Sequence, residues 1–141
     1  MPNIQVEVNG VPVPQGSKRA FRAGNRLVVV DQQGKDLRTY REAIAYEVAK
    51  HIREPLRGAV TLQLDFLFAR PRGHYGKKGL LPSAPEFKTT KPDLDKLVRS
   101  VMDALTGVAY LDDAQVRHVQ ARKDYITAGV PGTYVLVEWD E

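Results

Sequence analysis

The stretch from Val60 to Phe68 constrains the fold more than any other part of the chain. Val60, Leu62, Leu64, Phe66 and Phe68 alternate with Thr61, Gln63 and Asp65. A strand repeats every two residues, so this spacing puts five apolar side chains on one face of a long strand. A strand with one oily face must be covered by another layer, and its length predicts a central position in a sheet. The chain supplies two covers at helical spacing. One runs from Asp36, a suitable N-cap, through Leu37, Tyr40, Ile44, Val48 and Ile52, and should stop before Pro55. The other runs from Asp93 to Leu105 and buries Leu94, Leu97, Val98, Val101 and Leu105; Gly107 follows, suited to a left-handed cap.

The remaining segments read as strands. Ile4, Val6 and Val8 alternate with polar residues, and Asn9-Gly10 then predicts a tight turn into a short return strand at Val11 and Val13. Leu27 to Val30 is another short strand. Val116 to Ile126 and Thr133 to Trp139, around Gly129-Val130-Pro131-Gly132, predict an antiparallel hairpin. The order β-β-(β)-α-β-α-β-β over residues 1–141 implies a single α+β domain, a mixed sheet with two main helices packed on it.

Composition narrows the chemistry. The chain has no cysteine, so disulfides and thiolate metal sites are excluded. Any metal must then sit on oxygen or histidine ligands, and the three histidines, His51, His74 and His118, are too scattered to predict a zinc site. No apolar run approaches membrane-spanning length and the first residues lack a signal-peptide pattern, so the expected location is cytoplasmic.

Charge is concentrated. Between Arg70 and Lys91 stand six cations, Arg70, Arg72, Lys77, Lys78, Lys88 and Lys91, against Glu86 alone. This segment carries the excess of a chain whose formal charge is +4. Pro71, Gly73, Gly76, Gly79, Pro82 and Pro85 interrupt it, predicting one long loop, mobile without ligand and ordering on DNA. A second cluster, Lys18, Arg19, Arg22 and Arg26, contains no acid. Two such segments on a nearly neutral body suit a polyanion surface, although a solvated basic loop reads the same way.

The acids are concentrated too. Asp93 and Asp95 stand at the start of the second helix, and Asp112-Asp113 lie past its end. Cutting a phosphodiester requires charge neutralisation and an activated water, and magnesium on carboxylates supplies both. For Asp93 and Asp95 to face one ion, the helix must begin at or after Asp93, because inside a helix residues two apart diverge by about 200°. The 112–113 turn must also come back beside Asp93. The same aspartates serve equally as helix caps and turn formers. Asp103, mid-helix, reads as a hydrogen-bonding or surface residue.

Lys91-Pro92-Asp93-Leu94-Asp95-Lys96-Leu97, with Asp103-Ala104-Leu105-Thr106-Gly107-Val108-Ala109-Tyr110 and Asp112-Asp113-Ala114-Gln115-Val116, resembles the signature of RusA-type crossover-junction endodeoxyribonucleases. These are Holliday junction resolvases common in bacteria and their phages. The likeness is looser at Val13-Pro14-Gln15-Gly16-Ser17-Lys18-Arg19. It implies a homodimer that cuts opposed strands of a four-way DNA junction symmetrically, in recombination and repair, with Mg²⁺ or in its place Mn²⁺. By position the metal ligands would be Asp93, Asp95 and Asp113, with Asp112 in support. The family commonly has asparagine after the second aspartate and lysine four residues beyond it; this chain has Lys96 and Arg99 there. Arg99 keeps the positive charge and suits a phosphate clamp, but its high pKa makes it a poor proton donor. It also suits a plain ion pair with Asp95, one turn away. Lys18, Arg19, Arg22, Arg70, Arg72, Lys77, Lys78, Lys88, Lys91 and Lys96 are the expected DNA contacts, with no membrane and no organic cofactor involved. The alternatives are a structure-tolerant nuclease of flaps and forks, a non-catalytic DNA-binding module of a mobile element, and a protein-interaction domain.

Overall fold

The computed structural model describes residues 1–16, 18–31 and 34–140, with side chains throughout except at 18–21 and 29–31. Its spine is the alternating segment, now strand β4, Val60–Phe68, in which Val60, Leu62, Leu64, Phe66 and Phe68 are all buried. Strands β1 (Asn3–Asn9), β7 (Val116–Tyr125) and β8 (Gly132–Trp139) complete a four-stranded sheet in the order β1-β8-β4-β7. β4 therefore has a neighbour on each side, antiparallel β8 and parallel β7.

Helices α1 (Gly34–Ala49) and α2 (Leu94–Leu105) pack on each other, α1 also against β1 and α2 against β7. Both cover the same sheet face, because Ile44, Val48, Leu97, Val101 and Leu105 join the β4 residues in one core. The opposite face carries Gln5, Gln63, Asp65 and Tyr134, whose hydroxyl donates to Gln5 Oε1 at 2.5 Å. The polar–apolar alternation of β4 thus becomes a covered face and an open face. Tyr40 and Thr133 share a buried hydroxyl–hydroxyl bond of 2.5 Å where α1 meets β8.

Four expectations are corrected. The last two strands do not pair; β4 lies between them, because α2 is a crossover that delivers β7 parallel to β4 on its far side. Val11 and Val13 form no return strand; β1 pairs instead with β8, and Gly10 N donates to Pro131 O at 2.9 Å. Finally, α1 ends at Ala49, where His51 N and Ile52 N both donate to Val48 O, so Ile52 reaches the core from outside the helix. Asp36 lies in the first turn of α1, not at its cap.

The basic segment after Gly16 is a strand, β2 (Lys18–Ala23), paired with β3 (Arg26–Asp31) in a separate two-stranded ribbon turned at Gly24. The long loop holds only a minimal hairpin, β5 (Tyr75–Gly76) with β6 (Gly79–Leu80). No helix among the described residues is long and apolar enough to cross a membrane.

Candidate active site

The second helix begins where the chemistry requires. Asp93 is extended, with φ −69° and ψ 140°, and α2 starts at Leu94. Asp93 occupies the N-cap position, yet its carboxylate accepts no capping hydrogen bond; its nearest cation is Lys96 Nζ, 3.8 Å from Oδ2. Asp95, in the first turn, is exposed and has no hydrogen bond or ion pair among the described residues. The capping duty that would explain an aspartate here is therefore not performed by either side chain.

Asp112 does cap. Its Oδ1 accepts from Ala114 N at 2.8 Å, while Gln115 Oε1 accepts from Leu111 N at 2.8 Å and Asp112 N at 2.9 Å. Gln115 Nε2 in turn donates to Leu56 O and Gly58 O, which fastens the turn to the start of β4. This reciprocal capping box fixes the short 3-10 turn Asp113–Gln115 and leaves the exposed Asp113 carboxylate free of hydrogen bonds among the described residues. The turn lies against the far end of α2. Tyr110, fully buried, donates its hydroxyl to Met102 O at 2.8 Å, and burial together with the Asp113 and Asp103 charges pushes its pKa up.

The two acidic groups consequently stand at opposite ends of the β4–α2–β7 crossover. Lys123, near the end of β7, donates to Thr90 O and Pro92 O, beside Asp93. Gln115 immediately precedes the start of β7. The seven steps from Val116 to Lys123 span about 23 Å at roughly 3.3 Å per residue. The return of the 112–113 turn to Asp93 does not occur within one chain. The reason is topological: a crossover helix runs antiparallel to the strands it joins, so its two flanking segments lie on opposite sheet ends. Among the described residues no three acidic or histidine side chains gather to hold a metal ion. The donors nevertheless suit a hard divalent cation, being exposed carboxylate oxygens, and one chain brings two of them, Asp93 and Asp95, to the start of α2.

Two residues that the sequence pattern did not single out shape this place. Lys123 is one; its register with Val119, Ala121 and Tyr125, facing the helices, is the signal that marks it. Gln15 is the other. Its backbone N donates to Lys96 O at 3.0 Å and its side-chain amide donates to Asp103 Oδ2, docking the 13–16 loop along α2. Gly16 comes next with φ +97°, and a Cβ there would sit 3.1 Å from Arg99 Nη1. Arg99 thus lies one turn from Asp95 with its guanidinium against a glycine.

The basic loop divides into a fastened base and an outer part. Arg70 donates to Pro85 O at 2.6 Å and stacks 4.5 Å over the Tyr125 ring. Lys88 lies 4.9 Å from the Phe68 ring centre and donates to Thr90, and burial lowers its pKa. Arg72, Lys77, Lys78 and Lys91 are exposed. Arg22 is exposed on β2, whereas the side chains of Lys18 and Arg19 lie outside the described residues.

The family model for endodeoxyribonuclease RusA matches residues 9–138. The chain is also 28% identical over 131 residues to the uncharacterized protein YqaN of Bacillus subtilis (strain 168), covering 86% of this chain and 87% of that one. The chain belongs to the RusA endodeoxyribonuclease family.

Proposed function

We propose that this member of an endodeoxyribonuclease family cuts four-way DNA junctions as a homodimer, each site being completed by carboxylates of both chains. The observation that carries the proposal is the pair of uncapped carboxylates, Asp93 and Asp95, at a helix start beneath a basic loop, with Asp113 held ready at the opposite end of the same crossover. Asp93 and Asp95 of one chain and Asp113 of the other would hold a hard divalent cation, Mg²⁺ foremost. When bound, that cation offsets phosphate charge and makes water a competent nucleophile at neutral pH.

The chain's own residues do the rest. Lys96, close to Asp93 in the free protein, turns to the phosphate once the carboxylate charge is otherwise balanced. Arg99, whose guanidinium lies against Gly16, takes up charge on the non-bridging oxygens. Asp112 acts through its capping box, which aims Asp113. Arg72, Lys77, Lys78 and Lys91 grip phosphates and contribute the shape-selective, salt-sensitive part of binding. Paired cutting then results from two-fold symmetry, which gives the dimer two equivalent sites.

Incubating the protein with an end-labelled four-way junction tests the proposal. Paired, symmetric nicks that require Mg²⁺ or Mn²⁺, lost in Asp93→Asn and Asp95→Asn while binding persists, are the expected result. Equal cutting of flaps, forks and linear duplex would make it a structure-tolerant nuclease. Binding without divalent-dependent cutting would make it a DNA-binding module.

A further inference from the structure

The segment 85–92, just before the start of α2, is pinned by three cations. Arg70, stacked on the Tyr125 ring, donates through Nη1 to Pro85 O at 2.6 Å and through Nη2 to Glu86 O at 3.5 Å. Lys88 Nζ lies 4.9 Å from the Phe68 ring centre and 5.6 Å from that of Tyr125, and donates to Thr90 Oγ1 at 3.0 Å. Lys123 donates to Thr90 O and Pro92 O. These contacts fix the backbone on both sides of one large apolar residue, Phe87, which is nevertheless 62% exposed. A ring left in water forgoes the free energy of burial, and here the fastened segment keeps it there. We propose that Phe87 stacks on a nucleobase freed where branched DNA departs from a continuous duplex. This rests on the branched-DNA substrate proposed above and names the side chain that senses the branch.

The composition of the loop selects a base as the partner. Tyr75, on β5, is its second exposed aromatic, and Arg72, Lys77, Lys78 and Lys91 are exposed in the same loop. Rings interleaved with cations are the makeup of surfaces that hold unpaired nucleic acid, where cations follow the phosphates and rings take the π-faces of bases. A protein seated on Phe87 would have to answer the same cations with acids of its own. DNA carries that charge in its backbone.

Chain reach places the contact close to the cut. The six steps from Phe87 to Asp93 span at most about 20–22 Å at roughly 3.3–3.6 Å per residue. With a rise of about 3.4 Å per nucleotide, the stacked base lies within about six nucleotides of a phosphate held at Asp93 and Asp95. A continuous duplex offers the ring no free base face, because every base is stacked on both sides and extruding one costs free energy. At a branch the stack is already interrupted, so a ring can fill the gap. Phe87 therefore adds affinity for branched DNA that linear duplex does not receive, whereas phosphate contacts serve both. A single exposed apolar residue without a duty is ordinary on protein surfaces, and that reading predicts no effect of the ring on DNA binding.

Affinities of the full-length protein for a four-way junction and for linear duplex, measured without divalent ion, test the proposal independently of cutting. Phe87→Ala is expected to weaken junction binding about 5- to 150-fold, the range of one base–aromatic stack, and to leave duplex binding unchanged. Phe87→Trp is expected to keep the junction preference, with its fluorescence quenched by the junction and not by duplex. Trp139 is the single native tryptophan, so the wild-type protein supplies the background. Phe87→Leu, apolar but without a π-face, should behave like the alanine variant. Tyr46→Ala, at an exposed aromatic on α1, should change neither affinity. Unchanged junction binding by Phe87→Ala, an equal loss on duplex, full rescue by leucine, or no quenching by the junction overturns the proposal. Stacking without any Mg²⁺-dependent cutting would keep the base contact and discard the nuclease reading. Junction cutting without stacking would do the reverse.

Discussion

If each site of the proposed homodimer takes carboxylates from both chains, mixing Asp93→Asn with Asp113→Asn protein should restore cutting that neither has alone. Octahedral Mg²⁺ holds its ligands at about 2.0–2.1 Å, so two carboxylate oxygens on one ion lie within about 4 Å of each other. The path along β7 separates Asp113 from Asp93 by about five times that distance. Side-chain rotation recovers only a few ångströms, and Gln115 pins the turn by its two bonds to Leu56 O and Gly58 O. Asp93→Asn and Asp113→Asn homodimers each lack a ligand in both sites and should be inactive on a labelled junction. In a mixed dimer one site collects both lesions, and the other combines the intact Asp93 of one chain with the intact Asp113 of the other. Random exchange makes half the dimers mixed, each with one working site, so nicking should recover to about a quarter of wild type, as single nicks. Subunit exchange is checked by mass difference on a tagged partner. If exchange is complete and the mixture stays as inactive as its components, carboxylates are not shared between chains and the reasoning from the crossover fails.

Other consequences are independent of that one. Phe66→Ala, at a fully buried position of the central strand, should cost about 3–5 kcal/mol, a large part of the roughly 5–15 kcal/mol of a typical domain; denaturant unfolding measures it. Burial raises the pKa of Tyr40 and Tyr110, so the unfolded chain releases their protons first. Stability should hold below the ordinary tyrosine pKa near 10 and fall as pH rises above it, and Tyr40→Phe should flatten that fall while costing about 1–3 kcal/mol at neutral pH for the unpaired Thr133 hydroxyl. Gly16→Ala puts a Cβ against Arg99 at a positive φ, and cutting should drop by up to about 100-fold with junction binding retained; loss of binding instead would assign the loop to DNA contact. Replacing Lys77 and Lys78 by alanine should lower the slope of log affinity against log salt by about two, and an unchanged slope would remove them from the interface.

Much of this fold is legible in the sequence because faces are written locally. The β4 alternation and the α2 periodicity each depend on a few consecutive residues, and both are realised with the predicted sides buried. Neighbours are not written locally. Nothing between Val116 and Trp139 tells β7 and β8 that β4 stands between them; that is set by the crossover, a property of the whole chain. The turn Asn9-Gly10 is an equally good signal for a hairpin that never forms, because β1 finds more apolar partners on β8 than Val11 and Val13 offer. The candidate site divides along the same line. Asp93 and Asp95 are readable as a pair because they share one helix start, and the structure frees them of capping duty. Loop length permits their meeting with Asp113 within one chain, but chain reach is only an upper bound. The crossover spends that reach on returning to the base of the sheet, so within one chain the Asp113 turn and the start of α2 stay at opposite ends of β7.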